Sequence, residues 1–143
     1  MWFLISKIVH VIGNVLWLGG GVAAALAFVL LAQEDNAVRL PAARALRKVI
    51  LYIVTPGMLM SIVGGLTMLL GFWTELYAKA PWAHTKLTIG LIAAGFTGAM
   101  TGKIRRAAAG AEVKPASIKL AGYVLLFSGI AGVVAVFTKF GQH

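Results

Sequence analysis

The chain has 143 residues, of which 60% are hydrophobic and 12% charged, with mean hydropathy +0.91, no cysteine and a formal net charge of +9. A soluble domain of that length could not bury so much apolar surface, so the class is integral membrane. The missing cysteines exclude disulfides, thiolate metal sites, iron–sulfur clusters and covalently attached haem. The bases sit between apolar segments, which makes the charge a topology signal on anionic lipid rather than a nucleic-acid surface.

The first predicted element is a transmembrane helix over residues 2–32. No charge interrupts it between Lys7 and Glu34. Ala23-Ala24-Ala25 resembles a cleavage site, but the apolar run is too long for a signal core, so a retained span is expected. On a 3.6-residue period His10, Asn14, Trp17, Gly21 and Phe28 share one stripe. An ionisable group inside a membrane helix is costly and marks a functional site by default.

A polar connection over residues 33–44, with Glu34, Asp35, Asn36 and Pro41, separates this helix from a second span at 45–72. There Gly57, Ser61 and Gly65 are spaced by four, and small residues at that spacing let helix backbones approach closely. Pro56, near mid-span, predicts a kink that frees a backbone carbonyl. A loop with Glu75, Lys79 and Pro81 leads to a third span at 82–103. Its stripe of Gly90, Ala94, Gly98 and Gly102 predicts a second packing face, and Ser128 and Gly132 a weaker one on the fourth span at 117–138. The expected fold is an all-α integral membrane four-helix bundle in one domain, multi-pass in a bacterial-type inner membrane.

Positive charge orients it. Arg39, Arg44, Arg47, Lys48, Lys103, Arg105, Arg106, Lys114 and Lys119 flank the first and third connections, against Lys7, Lys79, Lys86 and Lys139 on the other side. Both termini are therefore expected outside, with Trp2, Trp73, Tyr77 and Trp82 as an outer aromatic belt.

Few residues could carry chemistry. No acidic residue lies within a span, which removes carboxylate acid–base pairs and proton relays, and the serines lack the His–carboxylate company of a nucleophile. Soft copper sites want Cys or clustered Met and His, and Met58, Met60 and Met68 fit apolar filling better. His10 remains. It is either an axial ligand of haem b, with Gly21 and the third-span glycines making room for the macrocycle, or a histidine hydrogen-bonded across helices to a threonine or a carbonyl, with no cofactor. His84 lies on the same side as a candidate second ligand or an interfacial polar residue. By rise per residue it is only about 3 Å along its helix against about 12 Å for His10. Lys86 either pairs with a propionate or snorkels, and His143 is terminal.

Several of these residues carry a resemblance. They are the tryptophan-led first helix with His10 and Trp17, then Arg47-Lys48 through Leu51, Tyr52 and Ile53 to Pro56 with Gly64 and Gly65 downstream, and Trp82, His84, Lys86 and Leu87 opening the third helix. Over about two-thirds of its length the chain resembles the HemJ protoporphyrinogen oxidase family and the wider CopD-like group. The resemblance implies a four-helix membrane bundle with His10 ligating haem b and Lys86 as a cation near substrate or propionates. Trp17, Pro56 and Trp82 would shape the site. For true family members it also implies oxidation of protoporphyrinogen IX. The chain departs from the pattern at Gly19–Ala25, where the family carries an arginine and a Tyr-His pair, and at Phe96-Thr97-Gly98, where it carries a histidine. The competing expectation is a non-catalytic accessory subunit of a larger membrane complex, or a homo-oligomer, whose small-residue faces pack against partners.

Overall fold

A computed structural model describes residues 1–72, 74 and 81–139. Trp73, Glu75, Tyr77, Lys79 and His143 lie outside the described residues. Among those described, four helices are long and apolar enough to cross a membrane: α1 (Trp2–Leu31), α2 (Asn36–Gly71), α3 (Pro81–Ala108) and α4 (Pro115–Lys139). The protein is a small four-helix membrane protein.

Two boundaries differ from the sequence expectation. The stretch expected as a polar connection is mostly helix, because α2 starts at Asn36. Asp35, with extended backbone, precedes it, and its carbonyl accepts from the Val38 and Arg39 amides. This first part is amphipathic: Ala43 is buried, while the Arg44 Nε donates to the Ala108 carbonyl of α3 at 3.4 Å. Polarity there reflects an interfacial helix end rather than a loop. The third helix likewise runs past Lys103 to Ala108. It stops where Gly110 takes φ +90°, a backbone open to glycine. The Gly110 amide then donates to Ala107 and the Ala111 amide to Arg106, closing the helix C-terminus.

Two helices contain a wide π turn. In α2 it spans Ile50–Val54, just before Pro56. Proline has no amide to give the Tyr52 carbonyl, and the wider turn absorbs that missing bond without ending the helix. In α1 it spans Val15–Gly19, around Trp17. Here no proline demands it; the effect is that α1 changes partners along its length. Its first half packs on the second half of α2, and its second half packs on α4. The single straight stripe expected from His10 to Phe28 is thus divided between two neighbours.

The α1–α2 seam is backbone against backbone. A Cβ on Gly13 would stand 2.7 Å from the Gly57 oxygen, one on Gly57 2.7 Å from the Trp17 amide, and one on Gly64 2.7 Å from the Ser6 oxygen. The expected Gly57–Ser61 stripe is therefore a packing face, completed more tightly by Gly64 than by Gly65. The third-span stripe is not one: Gly90, Gly98 and Gly102 have nothing within 4 Å. The face of α3 that packs carries Ala83, Ala93, Thr97, Met100 and Ile104 instead. Likewise Gly132 is open, and the close approach of α4 falls at Gly122, where an added Cβ would stand 2.8 Å from the Ala25 Cβ. Beyond Trp17 the core is ordinary side-chain packing of Phe28, Ile50, Val54, Met100, Ile104, Ile118 and Leu125. Only 22–28% of the most apolar stretch of each span is buried, so lipid or other protein must cover the rest.

Candidate functional site

The first half of α1 presents His10 and Asn14, one turn apart, to the Ser61 level of α2. Gly64 and Gly65 let this happen: with no side chain at either, the His10 backbone lies against Gly64 and its ring against Gly65, where an added Cβ would be 3.1 Å from Nδ1. The ring then reaches the backbone of the next turn. His10 Nδ1 is 2.6 Å from the Ser61 carbonyl oxygen, which can only accept, so Nδ1 carries the proton. The Ser61 hydroxyl donates to Asn14 Oδ1 at 2.9 Å. That fixes the carboxamide with its nitrogen towards His10, and Nδ2 donates to His10 Nε2 at 3.0 Å. The imidazole is neutral, with its lone pair on Nε2.

One turn beyond, inside the wide turn, Trp17 is 3% exposed. Its Nε1 donates to the Thr97 hydroxyl at 2.8 Å, which passes its own proton to the Ala93 carbonyl at 2.8 Å. Among the described residues no buried polar side-chain atom lacks a partner.

Of the residues singled out from the sequence, His10, Asn14 and Trp17 face inward together. Lys86 on α3 is half-buried. His84 is exposed, and the hydrogen bonds at His10 come from Asn14 and Ser61. Gly21 does not open space for a macrocycle: a Cβ there would meet Leu125 Cδ1 at 2.6 Å, so its room is filled by α4. The glycines of α3 expected to help it have open space beside them, Gly98 being exposed and Gly90 and Gly102 half-buried. A groove of about 630 Å³ does run between α1 and α4, but it is lined by Leu18, Gly19, Val22, Leu126, Gly129 and Val133, starting eight residues beyond His10. Sequence reasoning missed the roles of Ser61 and Thr97. A carbonyl partner across helices was one of the expectations for His10, and the Ser61 backbone supplies it; Ser61 itself was legible only as a small packing residue.

No family model, no curated protein and no solved structure matches this chain. Any ligand must therefore be judged on the donors themselves. Among the described residues no three histidines or carboxylates gather to hold a bare metal ion. A single imidazole can still serve an iron that brings its own four nitrogens. His10 fits that role at Nδ1, since a ligating histidine typically donates its other N–H to a carbonyl or carboxylate. At Nε2 it fits once the Asn14 carboxamide rotates away.

Proposed function

We propose that this chain is a haem-b-binding redox protein of the membrane, built on the plan of the HemJ-type oxidases. One observation supports the reading: the Nδ1–H of His10 donates to the Ser61 carbonyl at 2.6 Å, which leaves Nε2 as the basic nitrogen. Such a bond fixes ring orientation and raises ligand basicity. His10 would hold the iron through Nε2, and Lys86 would neutralise a propionate or another anion nearby. Haem b would supply one-electron chemistry at iron, with a potential tuned by its axial ligand and by burial. The rest falls to the chain. Gly64 and Gly65, having no side chains, let the His10 backbone and imidazole lie directly against α2. Trp17, tied to Thr97, forms a fixed wall, and the lack of acidic residues in the spans keeps the site free of competing proton paths. His84 is the candidate second axial ligand. The excess of Lys and Arg at the Arg44 and Ala108 end supports that end lying inside an inner-type membrane, with both termini outside.

The deciding measurement is the visible spectrum of the purified protein in mild detergent, oxidised and dithionite-reduced. A Soret band with sharp reduced α and β bands, lost in His10→Ala, is the expected result; porphyrinogen oxidation is then the activity to assay. A second reading, an accessory subunit of a larger membrane complex, is favoured by the Asn14 bond already made to Nε2. A colourless protein from cells given ample haem, recovered bound to other membrane proteins, would establish it instead.

A further inference from the structure

Where α3 hands over to α4, at the far end of the bundle from the termini, a pocket of about 260 Å³ opens to the surface, lined by Lys103, Arg106, Glu112, Val113, Lys114 and Ser117. We propose that it binds the phosphate of one anionic phospholipid, with Lys103, Arg106 and Lys114 as the donors.

Three features carry this. First, the cations converge on the pocket unused. Among the described residues none of the three forms an ion pair or donates a side-chain hydrogen bond to the chain, and Glu112 on the rim pairs with none of them. Other bases at this end are engaged: Arg39 donates to Asn36 Oδ1, the Arg44 Nε to the Ala108 carbonyl, and Lys119 lies over the Tyr123 ring. Like charges drawn to one pocket repel, and an anion between them relieves the repulsion. Second, the walls are fixed. Ile104 beside Lys103 and Ile118 beside Ser117 are almost wholly buried, and Val113 packs on the core. Gly110, at φ +90°, turns the chain between the helices, and the Ala111 amide closes on the Arg106 carbonyl. The Ser117 hydroxyl donates to the Lys114 carbonyl at 2.8 Å, so its proton holds the loop and the cations are left to hold the ligand. Third, the depth suits a lipid. Residues 87–102 of α3 carry no charge, and sixteen residues rise about 24 Å. The hydrocarbon core is about 30 Å thick, so Lys103 stands at its edge and its ammonium reaches for the phosphate layer. On α4 the charge-free run starts after Lys119, which sets Ser117 and Lys114 just outside the same edge. A lipid phosphate in the pocket can therefore leave its acyl chains in the bilayer.

The test is native mass spectrometry of the full chain in mild detergent, titrated separately with dioleoyl phosphatidylglycerol, dioleoyl phosphatidylcholine and inorganic phosphate. It compares the unchanged protein with Lys103→Gln/Arg106→Gln/Lys114→Gln and with a charge-matched control, Arg47→Gln/Lys48→Gln/Arg105→Gln, whose three bases are exposed at the same end and line no part of the pocket. One phosphatidylglycerol should bind the unchanged protein about tenfold more tightly than phosphatidylcholine does. The pocket triple should lose about tenfold or more of that affinity and the control less than about threefold, because each base near an anionic lipid contributes and only the first set converges on it. Should the pocket triple fail to fold, Arg106→Gln alone, at an exposed position, reads the same loss on a smaller scale. Equal losses in the two triples, or no preference for phosphatidylglycerol over phosphatidylcholine, would overturn the site. Inorganic phosphate bound as tightly as the lipid, and lost in the pocket triple, would overturn the lipid as its ligand in favour of a free phosphate.

Discussion

The two halves of α1 reach their neighbours by different means. Before the wide turn, Gly13 on α1 and Gly57 and Gly64 on α2 bring backbone onto backbone, and His10, Asn14 and Ser61 stitch the seam with hydrogen bonds. Beyond it, Phe28, Ile50, Met100 and Leu125 fill space with side chains, and no polar stitch is needed. Lipid provides no hydrophobic drive between helices, so contact area has to come either from closeness or from interdigitation. The polar half is the one with a ligand-type nitrogen, and closeness lets a histidine reach a backbone carbonyl.

Breaking that contrast starts at the seam. Gly13→Leu should abolish the folded protein, seen as loss of the monodisperse peak in mild detergent. No neighbour within reach is a flexible side-chain end; the added Cβ meets the Gly57 oxygen and the Met60 carbonyl carbon. Next in size is Leu125→Ala in the side-chain half. It should cost about 2–5 kcal/mol of unfolding free energy, as for buried leucines elsewhere, without changing any hemin affinity. Smaller still, Trp17→Phe keeps most of the volume and removes the bond to Thr97. Interhelical polar contacts in membranes average about 0.6 kcal/mol, and a loss of that order is expected. Smallest is Gly98→Leu on the open face of α3, expected within about 0.5 kcal/mol of the unchanged protein. If it instead changes the oligomer size, that face is an interface. Orientation is checked separately: a tag on the C-terminus should be cut by protease added to the outside of intact cells.

The four spans were legible because apolar length alone decides what crosses a bilayer. The inward stripe was legible over its whole length, since Trp17, Gly21 and Phe28 are all buried; what the period did not show is that the part beyond the wide turn packs on α4. What lay beyond one-dimensional reading was anything set by a neighbour. The glycines at 90, 98 and 102 have the spacing of a packing face, but packing needs a partner at the same level, and α3 turns Thr97 and Met100 inward instead. Asp35 and Asn36 looked like loop residues because a helix end at the membrane surface is polar for the same reason a loop is. That a carbonyl across the seam could meet His10 was legible; which carbonyl was not, for every residue has one.

The wide turn in α1 has a genetic consequence. Each residue of an α-helix advances the chain by about 100°, and a π turn holds one residue more than the helix needs. Val15 is 67% exposed, so its side chain can be lost cheaply. Deleting it should close the turn to ordinary α-helix and leave the His10 half and the Phe28 half facing as they do, because the wide turn already takes up that residue's share of rotation. The wide turn is therefore the one place in α1 where a three-base deletion can be absorbed, whereas the same deletion in the regular helix between His10 and the turn would swing the imidazole by about 100° away from Ser61.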